Sequence, residues 1–383
     1  MTNNPLKKIC ILSPAHPLRG GIASSTERLA QELQANGYEV NILSFKLQYP
    51  SILFPGKTQY SNDPAPDDLA IESALNSINP FNWLRVGSLL KKQKPDLIIV
   101  RYWLAFMAPS LGTVLRLAKS NKHTKVIAIV DNLIPHEPHL GHAQLTSYFV
   151  NTVDAFVAMS NSVESDIRQV SDKPLAYIPH PIYDNYGDPV SREEALTFLN
   201  LTQKNQYLLF FGFIRNYKGL DLLLEAMADE RIREMGLKLI VAGEFYASPE
   251  PYHQLIKEKK LDDQVILRTD FIPNAEVKYY FGAADLVAQP YRTATQSGIS
   301  QLAYHFEKPM LVTRVGGLPE IVKDGKVGYV VDVEVAAIAD AIIDFFEHNR
   351  SEAMTAGVCE EKKRFSWDNL VKGIEGLYQK IKP

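Results

Sequence analysis

The residues best placed to do chemistry lie in Phe210-Phe-Gly-Phe-Ile-Arg-Asn-Tyr-Lys-Gly-Leu220. An apolar run breaks at Gly212, carries Arg215 and Lys218, and gives way at Leu220 to a helical period. A strand that stops at glycine, followed by two cations and a new helix N-terminus, makes an anion site. The side chains bring charge, and the N–H groups of the first turn bring hydrogen bonds. A diphosphate suits that combination. The competing reading is a pair of solvated surface charges, the usual fate of Arg and Lys.

Other strand ends carry related signals. In Pro17-Leu-Arg-Gly-Gly-Ile-Ala-Ser-Ser-Thr-Glu27, Gly20 and Gly21 let a backbone approach a ligand at a helix start. The spacing is neither the dinucleotide fingerprint nor a Walker loop. Thr295, Gln296, Ser297 and Gly298 follow another apolar run and open a helical period; they suit a helix cap and a second phosphate contact. Val315-Gly-Gly-Leu-Pro-Glu320 has the same strand–turn–helix character, with Glu320 near the helix start. Asp131, Asn132 and His136 follow a fourth strand, and His180 a sixth, at the edge where open α/β sheets take ligands. For His180 the alternative is a rigid turn between Pro179 and Pro181. His136, His139 and His142 recur every third residue, but Pro138 disrupts a helix there and no zinc-type ligand set is completed, so no metal is expected.

The elements that must position these groups alternate regularly. Short apolar runs read as strands at residues 8–13, 39–45, 96–101, 126–130, 155–159 and 176–178. A second series falls at 207–211, 238–242, 265–267, 286–289, 310–313 and 328–331. Strands apolar on both faces and separated by helical periods predict parallel sheets covered on both sides. The 383 residues exceed one ordinary core. The expected organisation is residues 1–183 as one doubly wound domain and 184–365 as a second. An amphipathic helix over 366–383 then packs back on the first. Residues 48–68, rich in Pro, Ser and Asp, read as a long loop.

Bulk properties exclude several classes. A net charge of −3 argues against a nucleic-acid binder held by electrostatics. Two distant cysteines, Cys10 and Cys359, point to a reducing compartment rather than a disulfide scaffold. The first residues lack a signal-peptide pattern, and no run approaches the ~20 apolar residues of a membrane span. A cytoplasmic location is expected. The run from Asn79 to Lys94 mixes aromatics with cations and reads as a core-packed helix with a basic face or as a peripheral membrane contact, which would put the protein at the inner face of the membrane.

In their order along the chain, several segments resemble the retaining glycosyltransferases of family 4. They are Gly212 to Leu220, Leu239-Ile-Val-Ala-Gly-Glu244, Ala283-Ala-Asp285, Glu307-Lys-Pro309 and Val315-Gly-Gly-Leu-Pro-Glu320, with the Gly20–Gly21 turn and Ser160 also fitting. The resemblance implies the GT-B arrangement, two Rossmann-like domains facing a central cleft. The second domain would hold a nucleotide sugar, UDP- or GDP-linked, and the first a glycan or lipid-linked acceptor. Arg215 and Lys218 would offset charge on the leaving diphosphate without a metal or other cofactor. Gly20, Gly21, Gly212, the 295–298 segment and Glu320 would contact the donor, and Asp131, Asn132 and His180 the acceptor or sugar. The family's two glutamates, eight positions apart, fall on Ala294 and Leu302 here, and its strand-end histidine on the stretch where His136 is nearest.

The expected function is therefore transfer of a sugar to a hydroxyl acceptor in cell-surface polysaccharide or glycolipid assembly, with domain closure over the donor. The rivals are a nucleotide-sugar-binding protein without transferase activity, favoured by the missing glutamates, and a nucleotide-sugar epimerase on the same architecture.

Overall fold

The computed structural model describes residues 6–50, 59–61, 64–133, 141–294 and 297–382. The chain forms two compact units. One comprises Met1–His180 with Trp367–Pro383; the other is Pro181–Ser366.

The first unit is built on a seven-stranded sheet: β1 (Lys8–Leu12), β2 (Glu39–Leu47), β3 (Ile71–Asn76), β4 (Leu97–Tyr102), β5 (Lys125–Val130), β6 (Ala155–Ala158) and β7 (Leu175–Tyr177). Every pair is parallel, in the order β3-β2-β1-β4-β5-β6-β7. The strands are apolar on both faces because helices cover both. Cys10, Leu12, Ile98 and Val100 face one core, with Leu90 and Leu111 from covering helices. Ile9, Ile11, Leu97 and Ile99 face the other, with Leu29 and Leu33. That two-residue alternation is the pleat itself. The helix Trp367–Ile381 supplies Leu370, Val371, Ile374 and Leu377 to the second of these cores. There the guanidinium of Arg28 sits 5.2 Å from the centroid of the Trp367 ring.

The strand β3 differs from the sequence expectation, which had no strand after the 48–68 loop. Ile-Glu-Ser-Ala-Leu-Asn lacks a β-branched run because β3 is the sheet edge. It buries only Leu75 fully and pairs with β2 through register shifts at Ser44/Phe45 and Phe45/Leu47. An edge strand needs one apolar face rather than two.

The second unit carries six parallel strands: β8 (Tyr207–Phe211), β9 (Lys238–Ala242), β10 (Val265–Arg268), β11 (Leu286–Gln289), β12 (Met310–Thr313) and β13 (Gly328–Val331). Their order is β10-β9-β8-β11-β12-β13. The order reverses direction at β8/β11, as it does at β1/β4 in the first unit. Loops leaving the carboxyl ends of such a strand pair part in opposite directions and open a crevice, the place where doubly wound sheets bind ligands. Gly212, Arg215 and Lys218 leave β8, and residues 290–294 leave β11.

Candidate functional site

Three loops of the second unit meet beyond β8, β9 and β11. The β8 and β9 loops are joined by Ile214 N–H donating to the Glu244 carbonyl (2.8 Å) and Tyr246 N–H to the Ile214 carbonyl (3.0 Å). The approach is close: a Cβ on Gly243 would lie 2.4 Å from the Gly212 oxygen. The β8 and β11 loops meet at Gly219, which adopts φ 67° and packs so tightly that a Cβ would lie 2.0 Å from the Pro290 oxygen. Only glycine meets both demands at once.

Between these contacts, Asn216–Lys218 forms a single 3-10 turn that leads through Gly219 into the helix Leu220–Met227. Arg292, from the β11 loop, braces that turn. Its backbone N–H donates to the Tyr217 carbonyl (2.7 Å) and its Nη1 to the Asn216 carbonyl (3.0 Å). Its guanidinium also grips Asp221 in the first helical turn at 2.8 and 2.6 Å. Arg292 and Asp221 thus pair with each other and hold the backbone that presents Lys218.

Lys218 is 8% exposed. Its Nζ lies 5.6 Å from the centroid of the Tyr291 ring and directly over Gly212, where a Cβ would come within 3.1 Å of it. Arg215 places its guanidinium carbon 3.9 Å from the centroid of the Tyr246 ring. Among the described residues neither cation has a carboxylate partner, whereas Arg192, Arg292 and Arg314 in the same unit pair with Asp285, Asp221 and Asp332. Burial, and then repulsion from Arg215, push the Lys218 ammonium down from its usual 10.5 to about 8. A buried ammonium beside a second cation is costly in water-free surroundings and becomes favourable once an anion fills the space.

The surrounding positions behave unequally. Gly212 adopts φ 93°, which leaves room for the Lys218 head. Ser297 caps the helix Gly298–His305, accepting from Ile299 N–H at 3.2 Å, and its hydroxyl lies 3.4 Å from that of Tyr291. Gly298 lies against Tyr183, whose ring a Cβ would strike at 2.7 Å. Glu320 stands in the first turn of the short helix Leu318–Ile321, and its carbonyl accepts from Arg364 (3.0 Å). Thr295 and Gln296 lie outside the described residues. Leu302 is 4% exposed and joins Tyr304 and Phe306 in the core, so the second position of the family's glutamate pair serves packing here.

In the first unit, Gly20 (φ 115°) is the N-cap of the helix Gly21–Ala35, and a Cβ there would meet nothing within 4 Å. Asp131 follows β5 and accepts from Arg101 through both oxygens, with the Nε contact at 3.0 Å; Arg101 also donates to Ser25 at 3.0 Å. Arg101 is 1% exposed and ties the carboxyl ends of β4 and β5 to the start of the Gly21 helix. Asp131 therefore acts first as the counter-charge of a buried arginine. Asn132 is half-buried and His180 buried. His136 and His139 lie outside the described residues. Among the described residues no group of three or more His, Cys, Asp or Glu side chains is placed to hold a metal ion.

Sequence reasoning singled out Arg215 and Lys218 but missed Tyr246, Tyr291, Arg292, Asp221 and Arg101. Arg292 pairs with Asp221 across 71 residues, a separation that hides the pairing from any local pattern.

Comparisons with known proteins bear on the family and the fold. A family model described as glycosyl transferases group 1 matches residues 191–362, and one described as glycosyltransferase family 4 matches residues 19–185. A D-inositol 3-phosphate glycosyltransferase of Mycobacterium marinum is 29% identical over 309 residues, covering 74% of this chain and 63% of its own length. One from Catenulispora acidiphila is 28% identical over 247 residues, covering 59% and 58%. The chain thus spans about three fifths of the length of these relatives. Among solved structures, a sucrose-phosphate synthase from Thermosynechococcus elongatus shares the fold (TM-score 0.75, 18% identity, 98% of each chain). So does Anabaena HepE, solved in complex with UDP (TM-score 0.73, 16% identity, 97% of this chain and 100% of that one). The fold is GT-B, with two Rossmann-like domains.

Proposed function

This chain belongs to glycosyltransferase family 4, and we propose that it moves a sugar from a nucleotide sugar, UDP- or GDP-linked, to a hydroxyl acceptor with retention of anomeric configuration. The observation that carries this is Lys218, a buried ammonium with no acid partner among the described residues, beside Arg215 at the crevice beyond β8 and β11. The donor diphosphate is the anion that completes the site.

Chemistry follows from charge placement. As the bond from the anomeric carbon to the phosphate oxygen lengthens, negative charge gathers on the leaving diphosphate. Arg215 and Lys218 are already oriented toward that charge, so little reorganisation is needed. The acceptor oxygen bonds to the anomeric carbon on the face the diphosphate leaves, and the acceptor's proton passes to a departing phosphate oxygen. Gly212 and the Ser297–Gly298 helix start contact the donor, with Thr295, Gln296 and Glu320 as further contacts. Gly20 and Gly21 also belong to the donor set, and Asp131, Asn132, His136 and His180 to the sugar and acceptor.

The acceptor reading is a glycan or lipid-linked saccharide, in polysaccharide or glycolipid assembly at the inner face of a membrane. The helix Pro80–Gln93 supports it. Phe81 (82% exposed), Leu84 and Arg85 share one stripe with Lys91 and Lys92; Ile78 precedes them, and the helix holds no acidic residue. The opposite face buries Val86 and Leu90. An apolar tip followed by cations suits an anionic lipid surface. Among the described residues no helix is long and apolar enough to cross a membrane. Two measurements test the proposal. Purified protein should turn over one nucleotide sugar from a panel and lose that turnover in Lys218→Ala; an active Lys218→Ala variant refutes it. Wild type should sediment with anionic vesicles, and Phe81→Ser/Leu84→Ser should not.

A further inference from the structure

The two cations of the site are held in an unusual way. A guanidinium fixed by a carboxylate commits N–H donors and its charge to that carboxylate, as Arg292 does with two donors on Asp221. A guanidinium fixed by an aromatic face keeps its N–H edge available, because the ring contacts only the flat of the group. Arg215 is of the second kind, 3.9 Å over Tyr246, with no carboxylate among the described residues. Lys218 repeats the pattern more loosely over Tyr291.

Tyr246 is itself firmly placed. Its N–H is bonded to the Ile214 carbonyl one residue before Arg215, and the edge of its ring meets Phe213 at 5.2 Å and 66°. The β9 loop therefore carries a shelf registered by backbone hydrogen bonds to the segment that carries the cation. Among the described residues the ring contacts of Tyr246 are with Phe213 and Arg215, both on the β8 loop.

From this we infer that Tyr246 is a positioning residue for the donor diphosphate: it holds Arg215 flat and leaves the guanidinium edge free for phosphate oxygens. The inference rests on the transferase reading above and deepens it. Tyr246 acts through Arg215, so its effect must vanish when Arg215 is absent.

The test is a double-mutant cycle on binding of whichever of UDP, GDP and ADP raises the wild-type melting temperature most, with melting temperatures recorded for every variant. Tyr246→Leu is expected to weaken binding about 5–30-fold, the range of a partly desolvated cation–π contact. Tyr246→Phe, which keeps the ring, should bind within about 2-fold of wild type. In an Arg215→Ala background, Tyr246→Leu should cost nothing further. Equal losses in both backgrounds would overturn the inference, because a merely structural tyrosine acts whether or not Arg215 is present. So would a Tyr246→Leu protein that binds normally while Lys218→Ala does not. If Lys218→Ala and Arg215→Ala both bind normally, the transferase reading itself fails and the inference falls with it.

Discussion

Lys218 should make the ligand-free protein less stable than a version lacking it. Its pKa drop from 10.5 to about 8 comes mainly from burial. At ~1.4 kcal/mol for each pH unit, that drop corresponds to ~3 kcal/mol of destabilisation at neutral pH. Lys218→Met keeps most of the side-chain volume and removes the charge. Relaxation around the site makes ~3 kcal/mol an upper figure; ~1–3 kcal/mol, or about 3–10 °C in the melting of the Pro181–Ser366 unit, is the expected gain at pH 7. The sign fixes the pH dependence. The folded protein binds fewer protons than the unfolded chain between about pH 8 and 10.5, so wild-type stability rises across that window relative to the variant. The gap between the two should be full below pH 8 and close as pH approaches 10.5. Differential scanning calorimetry at several pH values reads this directly. Adding UDP should raise the wild-type transition and leave that of Lys218→Met in place. A variant that melts at or below wild type at pH 7 would refute the argument, as would a gap independent of pH.

The same proton should govern activity: the ammonium needed by the diphosphate is lost in the free protein above about pH 8, so kcat/KM for donor should fall there. A profile flat to pH 9.5 would exclude Lys218 as the limiting group. Gly219→Ala adds a Cβ 2.0 Å from the Pro290 oxygen at φ 67° and should cost on the order of 2–4 kcal/mol in urea unfolding, with loss of donor binding. Arg101→Met strands the Asp131 carboxylate and should destabilise the first unit by ~3–5 kcal/mol, whereas Arg101→Met/Asp131→Leu should recover most of that in the same assay.

Much of this architecture is visible in the chain. β8, β9, β11, β12 and β13 fall where their apolar runs do, and alternation along β1 and β4 accounts for both cores of the first unit. β3 was not visible, because an edge strand with a single buried leucine resembles a polar loop. The site was half legible. Arg215 and Lys218 stand three and six residues after Gly212, where the strand ends, so a local pattern reveals them. Their shelves do not: Tyr246 and Tyr291 lie on other loops, brought together only by the order of strands in the sheet. The positions of the family's glutamates show the same limit. Sequence shows that Leu302 carries no charge, and only the packing beside Phe306 shows what it does instead.

Two covered parallel sheets and a pair of cations where one strand ends are legible along the chain, because side-chain period and strand boundaries are local properties. Tertiary structure decided which cations remain available. Arg292 and Arg101 are neutralised by Asp221 and Asp131, 71 and 30 residues away. Arg215 and Lys218 meet aromatic rings instead. Pairing depends on which loops the sheet order gathers at one edge, and no local pattern encodes that.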